Sequence, residues 1–191
     1  SRFLRYVKIY TTSDPDSHTT PSTERQWMLL RMLADELQVL GASETKITKH
    51  GYVLATIPAT TKKRVPTVAF FAHVDTVPGF SGEGVKPVIH RQWNGKPIVL
   101  PDDPAQVIDM VKYPEMKNHV GKDLVTASGT TLLGADDESG VAVVMTLAAH
   151  LLSHPEIEHG PIRICFNPDE EIGRGVEKLD LKELGADVAY T

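Results

Sequence analysis

Between Pro66 and Thr76 the sequence runs through the apolar stretch Val68-Ala69-Phe70-Phe71-Ala72 and then turns polar at His73-Val74-Asp75. A short run rich in Val and Phe, with a proline ahead of it, suits an interior strand of a sheet covered on both faces. Such a strand needs strands beside it and helices over it, which commits the chain to an α/β plan. His73 and Asp75 fall where the strand should end, and open α/β sheets gather ligands beyond the carboxyl ends of their strands. Taken alone, the pair reads more readily as an ordinary hydrogen-bonded couple, because residues i and i+2 of a strand share a face.

The surrounding pattern supplies the other pieces. Phe3, Leu4, Val7 and Tyr10 have helical spacing, so a short amphipathic helix should end near Thr11, with a loop over Ser13–Ser17. Thr23 and Gln26 have the spacing of a capping box, which predicts a helix from Thr23 to about Leu40. Trp27, Leu30, Leu33, Leu37 and Leu40 form its inward stripe, Gly41 is its left-handed terminator, and it reads as a packing element, not a site. Thr45 to Ile57, with His50-Gly51 between its halves, predicts a hairpin or two adjacent strands. From Gly79 to Ser128 the periodicity weakens into a β-rich excursion, in which Val85–His90 and Pro97–Leu100, separated by Asn94-Gly95, read as a small ribbon. A strong helix opens at Leu132–Gly140 and keeps an apolar stripe from Val141 to Leu152 until His154-Pro155 stops it. Ile162–Phe166 is a second buried strand, Val176–Leu184 a short helix, and Asp187–Thr191 a further strand.

Composition narrows the partners. With 191 residues, 41% hydrophobic and 24% charged, the chain has the make-up of one cored globular domain. A net charge of -5 argues against nucleic acid or an anionic membrane and in favour of a small molecule. Cys165 is the single cysteine and lies inside an apolar run, which excludes an internal disulfide and reads as a buried core thiol. With no secretory signal and no apolar stretch of about 20 residues, the cytoplasm is the expected compartment.

Two more acid clusters stand out. Asp136-Asp137 fall at the start of the long helix, where the helix dipole alone would favour them. Asp169-Glu170-Glu171 follow the Ile162–Phe166 strand, where a solvated turn is the plainer explanation. Joint placement shifts the balance, since clusters far apart in sequence converge on one rim of a sheet, as a metal site requires. One imidazole with several carboxylates suits zinc, and also manganese or cobalt. In a two-metal site with ions about 3.5–4 Å apart, one carboxylate bridges and another stays free as a base. Adjacent glutamates in an extended segment would point to different sides and serve both duties. Asp75 is placed to orient the His73 ring from behind.

His73-Val74-Asp75-Thr76, Gly134-Ala135-Asp136-Asp137 and Pro168-Asp169-Glu170-Glu171-Ile172-Gly173 resemble the three leading motifs of the co-catalytic zinc M20 metallopeptidases. Within that family the tripeptide aminopeptidase branch is the better match, through Pro21-Ser22-Thr23-Glu24 and the long excursion, which is much shorter in other branches. The resemblance implies a three-layer zinc-peptidase catalytic domain with a mostly parallel mixed sheet between helices, of which residues 1–191 are the N-terminal portion. It further implies that His73 ligates one Zn2+, that Asp136 bridges it to a second and that Glu171 ligates the second. Glu170 would then be the general base and acid, with Asp75 holding His73. The implied reaction is release of the N-terminal residue of a tripeptide by a zinc-activated water that Glu170 deprotonates.

The family pattern continues past a strand like Val188–Thr191 with an aspartate ligand, a later histidine ligand and an inserted lid and dimerisation domain. The expectation is therefore a truncated catalytic domain, weakly metallated and inactive alone, whose full-length form is a homodimer through that lid. A non-catalytic metal- or peptide-binding remnant, and an M20 hydrolase of another substrate class such as a deacylase or dipeptidase, stay open as alternatives. Glu138 stands where related sequences commonly carry lysine and is expected to face solvent. His18, His50, His90, His119, His150, His154 and His159 have no acid constellation and are expected to be structural or exposed.

Overall fold

The apolar run does become a strand. The computed structural model describes all 191 residues, and in it the strand spans Val68–His73 (β3). Before it come α1 (Arg2–Tyr6), α2 (Gln26–Leu40), β1 (Ser43–Ile47) and β2 (Val53–Ile57). After it come β4 (Val88–His90), β5 (Ile98–Val99), β6 (Val107–Ile108), β7 (Leu124–Thr126), α3 (Ala135–Ser153), β8 (Ile162–Asn167), α4 (Leu181–Leu184) and β9 (Val188–Tyr190).

The main sheet has five strands in the order β1-β2-β8-β3-β9. Strands β3, β8 and β9 run parallel, with Val68 opposite Ile162 and His73 opposite Asn167, while the β1–β2 hairpin joins β8 antiparallel. The central strand is thus β8, buried at every residue. Alternation along β8 sends Ile162, Ile164 and Phe166 into a core shared with α1, α2 and α3, and Cys165 into a smaller core with Tyr52, Leu54, Ala69 and Leu184 of α4. Helices on both faces of a mixed sheet make the three-layer α/β architecture. Arg163 tolerates its place in this strand because its guanidinium donates to the carbonyls of Leu184 (2.7 Å) and Glu183 (3.1 Å) and to the Glu44 carboxylate (2.7 Å).

Strand β3 is less covered than its composition suggests, with Val68, Phe70 and Phe71 half-buried. Its neighbour β9 pairs only with Val68–Phe70 and is itself exposed, so Phe70 finds its cover in a stack on Tyr190 at 6.1 Å. Gly41 closes α2 with φ 90°, the expected left-handed terminator. The capping box does not form: α2 begins at Gln26 without a side-chain cap, and the Thr23 hydroxyl donates instead to the Thr12 carbonyl at 3.0 Å. Helix α1 stops at Tyr6, short of Thr11, where the Tyr6 hydroxyl donates to Glu36 of α2 at 2.8 Å.

In the excursion, β4 pairs with β7 and β5 with β6, so the two segments flanking Asn94-Gly95 do not pair with each other. The Trp93 amide donates to the Lys122 carbonyl and the Trp93 carbonyl accepts from Gly121, which folds the segment onto its own far end around Trp93, Ile98 and Leu100. The helix expected over Val176–Leu184 contracts to α4, because Asp180 caps the Lys182 and Glu183 amides and starts it there. No helix is long and apolar enough to cross a membrane.

Candidate metal centre

His73 closes β3 with its ring nearly buried. Its Nδ1 lies 2.9 Å from the Asp75 carbonyl oxygen; a carbonyl only accepts, so Nδ1 carries a proton and Nε2 is the ring atom left to meet the rim. Nε2 faces the rim, 3.0 Å from Asp136 Oδ1 and 3.7 Å from Glu170 Oε2. Burial works against the charged ring, yet hydrogen bonding and charge from Asp75, with the charges of Asp137 and Glu170, lift its pKa from 6.5 to about 9. The surroundings therefore favour positive charge at this point, as a cation among carboxylates requires.

Asp75 is fully buried and does more than hold His73. Its Oδ1 is 3.5 Å from His73 Nδ1, but the carboxylate spends its best contacts on the backbone beyond β8, accepting from the amides of Glu170 (2.9 Å) and Glu171 (3.2 Å). That acidic segment is not extended as expected. Asp169 has φ 60° and Glu170–Ile172 form a 3-10 turn. A 3-10 turn rotates by about 120° per residue, so Glu170 and Glu171 diverge through the turn and not through a pleat. Burial raises the Glu171 pKa.

The start of α3 is also irregular. Gly134 has φ 79°, Asp136 and Asp137 are non-helical, and the peptide between them is cis. The regular helix begins after Asp137, whose Oδ1 accepts from the Gly140 amide at 3.0 Å and so caps it. Asp137 Oδ2 accepts from the His73 amide at 3.3 Å, which ties α3 to β3; burial raises the pKa of this carboxyl. The tie leaves Asp136 projecting over the rim with its side chain 85% exposed.

Together these elements bring one donor atom each from His73, Asp136 and Glu171 within 4.8 Å of one another. One imidazole nitrogen and two carboxylates from three separate segments fit a borderline-hard ion such as zinc. Glu170, 54% exposed, stands beside them and makes no hydrogen bond through its carboxylate to a neighbouring amide. The remaining histidines are half-buried or exposed and lie outside this group.

Glu138 is the clear departure. It is 1% exposed, not solvent-facing; its Oε1 takes a long contact of 3.4 Å from the Thr11 hydroxyl and its Oε2 has no partner. Burial raises its pKa to about 8. The signal was present in the spacing, since Glu138 precedes the buried Val141 and Met145 by three and seven residues and shares their inward face. Gln26, read as part of a packing helix, and Ser22, just ahead of that helix, turn out to reach the acidic turn, where both donate to the Asp169 carboxylate.

No family model matches the chain. Peptidase T of Geobacillus thermodenitrificans is 50% identical over 190 residues, which is 100% of this chain and 46% of that protein, so the chain spans about half the length of the curated relatives it matches. Among solved structures, aminopeptidase PepT from Bacillus cereus superposes with a TM-score of 0.67 at 25% identity, covering 98% of this chain and 40% of that one. A dinuclear metal-binding peptidase of the M20 family from Bacillus subtilis shares the fold with a TM-score of 0.54 at 17% identity, over 96% of this chain and 38% of that one. Along its whole length the chain is thus similar in sequence to about half of peptidase T, and it shares its fold with solved aminopeptidase and M20 peptidase structures.

Proposed function

We propose that the chain carries the metal-binding part of an aminopeptidase that releases the N-terminal residue of tripeptides. The observation that supports it most is the convergence of His73, Asp136 and Glu171 within 4.8 Å, from the end of one strand, the start of one helix and the turn after another strand. His73 and Glu171 would each hold one zinc ion and Asp136 would lie between the two. Bound there, the ions supply Lewis acidity toward the scissile carbonyl and lower the pKa of water. The chain's own residues supply the rest. Asp75 and Asp137 fix the His73 ring and backbone through its Nδ1 and amide, and Asp75 fixes the amides of Glu170 and Glu171. Glu170, open to the rim, takes the proton of the attacking water and delivers it to the departing amine. With His73, Asp136 and Glu171 as its donors, the 191-residue chain alone is expected to hold metal weakly and release nothing.

The test is a panel of tripeptides, dipeptides and acylated amino acids given to the full-length protein with and without a chelator. Release of a free N-terminal residue from tripeptides, lost on chelation and restored by zinc, is the expected result. Cleavage confined to acylated amino acids or dipeptides overturns the tripeptide assignment in favour of a deacylase or dipeptidase. Release that survives complete metal removal overturns the metal-dependent reading.

A further inference from the structure

Asp169 precedes the two glutamates of the site, and nothing about its own carboxylate points toward the rim. It is 0% exposed and faces away from the ligands, into the segment that leads into α2. There it accepts from the Ser22 amide (2.8 and 3.0 Å), from the Ser22 hydroxyl, and from the Gln26 side-chain amide (2.7 Å). The exchange is mutual, since the Asp169 amide donates to Gln26 Oε1 at 3.3 Å. Gln26 is itself 0% exposed, and its amide also reaches the hydroxyls of Ser22 and Thr23 at 3.2 Å. Asp169 holds φ 60°, a conformation that L side chains rarely adopt. That conformation turns the chain from β8 into the 3-10 turn of Glu170 and Glu171.

Two buried carboxylates therefore grip this turn from opposite sides. Asp75, from β3, accepts the amides of Glu170 and Glu171; Asp169, one residue upstream, is locked to Ser22 and Gln26 across 147 and 143 residues of sequence. A solvated acidic turn has no reason to bury a carboxylate, because removing such a group from water is costly unless hydrogen bonds replace the lost hydration. Here donors are supplied to it from a distant segment, and what they hold in place is the backbone that presents Glu171. We propose that Asp169, Ser22 and Gln26 act as positioning residues of the metal centre, setting Glu171 at the distance where it meets His73 and Asp136. The inference rests on the metal-binding reading above.

Its test measures metal binding on the full-length protein, with zinc affinity read by chelator competition and coordination read from the visible spectrum of the cobalt-loaded form. Partners behind metal ligands typically shift affinity by about 10–100-fold. Gln26→Leu is expected to weaken zinc binding at the lower end of that range, about tenfold, and to alter the cobalt spectrum, with Ser22→Ala moving both the same way by less. Leu33→Val, a core change in α2 remote from Asp169, should lower thermal stability and leave both readouts at wild type. Folded Gln26→Leu and Ser22→Ala proteins with wild-type affinity and spectrum would overturn the inference alone, as would a Leu33→Val protein that moves both readouts equally. Wild-type protein that takes up neither zinc nor cobalt overturns the metal reading and this inference with it.

Discussion

The two acidic turns that bring Asp136 and Glu171 together each bury a carboxylate, and they treat it in opposite ways. Asp169, 0% exposed, is met by the amide and hydroxyl of Ser22 and the side-chain amide of Gln26. Glu138, 1% exposed, has one 3.4 Å contact from Thr11, and its other oxygen lies bare beneath Gly134, 2.8 Å from where a Cβ would stand. Depth is the same; the supply of donors differs. The turn after β8 is thus fixed by its buried acid, whereas the start of α3 is fixed by Asp137 and carries Glu138 as a local destabilisation. Groups that break a packing rule without local compensation tend to lie beside functional sites, and this one follows Asp136 by two positions.

Removing the satisfied acid should cost the most. Asp169→Ala strands the Ser22 and Gln26 donors in a dry setting, and with each buried donor left unpartnered costing about 1–3 kcal/mol the loss should reach about 3–5 kcal/mol. Urea unfolding should show a loss of that order; a loss under about 1 kcal/mol, the size of a single ordinary hydrogen bond, would mean that the two buried acids do not differ.

Removing the unsatisfied acid should act in the other direction and only above acidic pH. Glu138 has a folded pKa of about 8 against an ordinary 4.5, so the folded state holds a proton that the unfolded state has given up between those values. The stability this represents is fully present below about 4.5 and is lost as pH rises through about 8. His73, raised from 6.5 to about 9, adds a loss of the same sign over a higher window, so the comparison of wild type with Glu138→Gln isolates the carboxyl. Glu138→Gln should match wild type near pH 4.5 and be more stable by about 3 kcal/mol near pH 8, less than the full shift implies because a strained site relaxes. Denaturation of the metal-free protein at both pH values checks this, and equal stability at pH 8 would place the Glu138 oxygen in contact with a partner after all.

What could be read beforehand follows the same division between local and distant causes. The β3 run, the Gly41 terminator and the stripe of α3 were legible because each is written in consecutive residues. His73, Asp136 and Glu171 were legible as a group because strand ends and a helix start share one rim, and the structure brings those three together. The Thr23–Gln26 spacing misled because a capping box is a local signal, and Gln26 is drawn off by Asp169 from 143 residues away. Asn94-Gly95 misled in the same way, its hairpin preference overridden when Trp93 pairs with Gly121 and Lys122. Glu138 sits on the inward stripe, but its charge argues locally for solvent, and the Thr11 hydroxyl and Gly134 that enclose it are brought there by the tertiary fold.

The smallest expected effect tests the other half of the comparison, that Asp137 holds the start of α3. Gly140 lies in the first regular turn, where replacing glycine by alanine in a helix interior normally gains about 1 kcal/mol. An alanine Cβ here would stand 2.3 Å from Asp137 Oδ1 and 2.7 Å from its carboxyl carbon, so the carboxylate has to leave. Its departure removes the cap on the Gly140 amide, worth about 1 kcal/mol, and the tie to the His73 amide, worth about another. The losses exceed the gain, so Gly140→Ala should destabilise by about 1 kcal/mol where propensity alone calls for a gain of that size. The sign of the change in urea midpoint decides the matter. Asp137→Ala removes the obstacle and the cap together, so adding Gly140→Ala to it should recover the ordinary helix gain. A double-mutant cycle with no such reversal would show that the start of α3 is held by something other than Asp137.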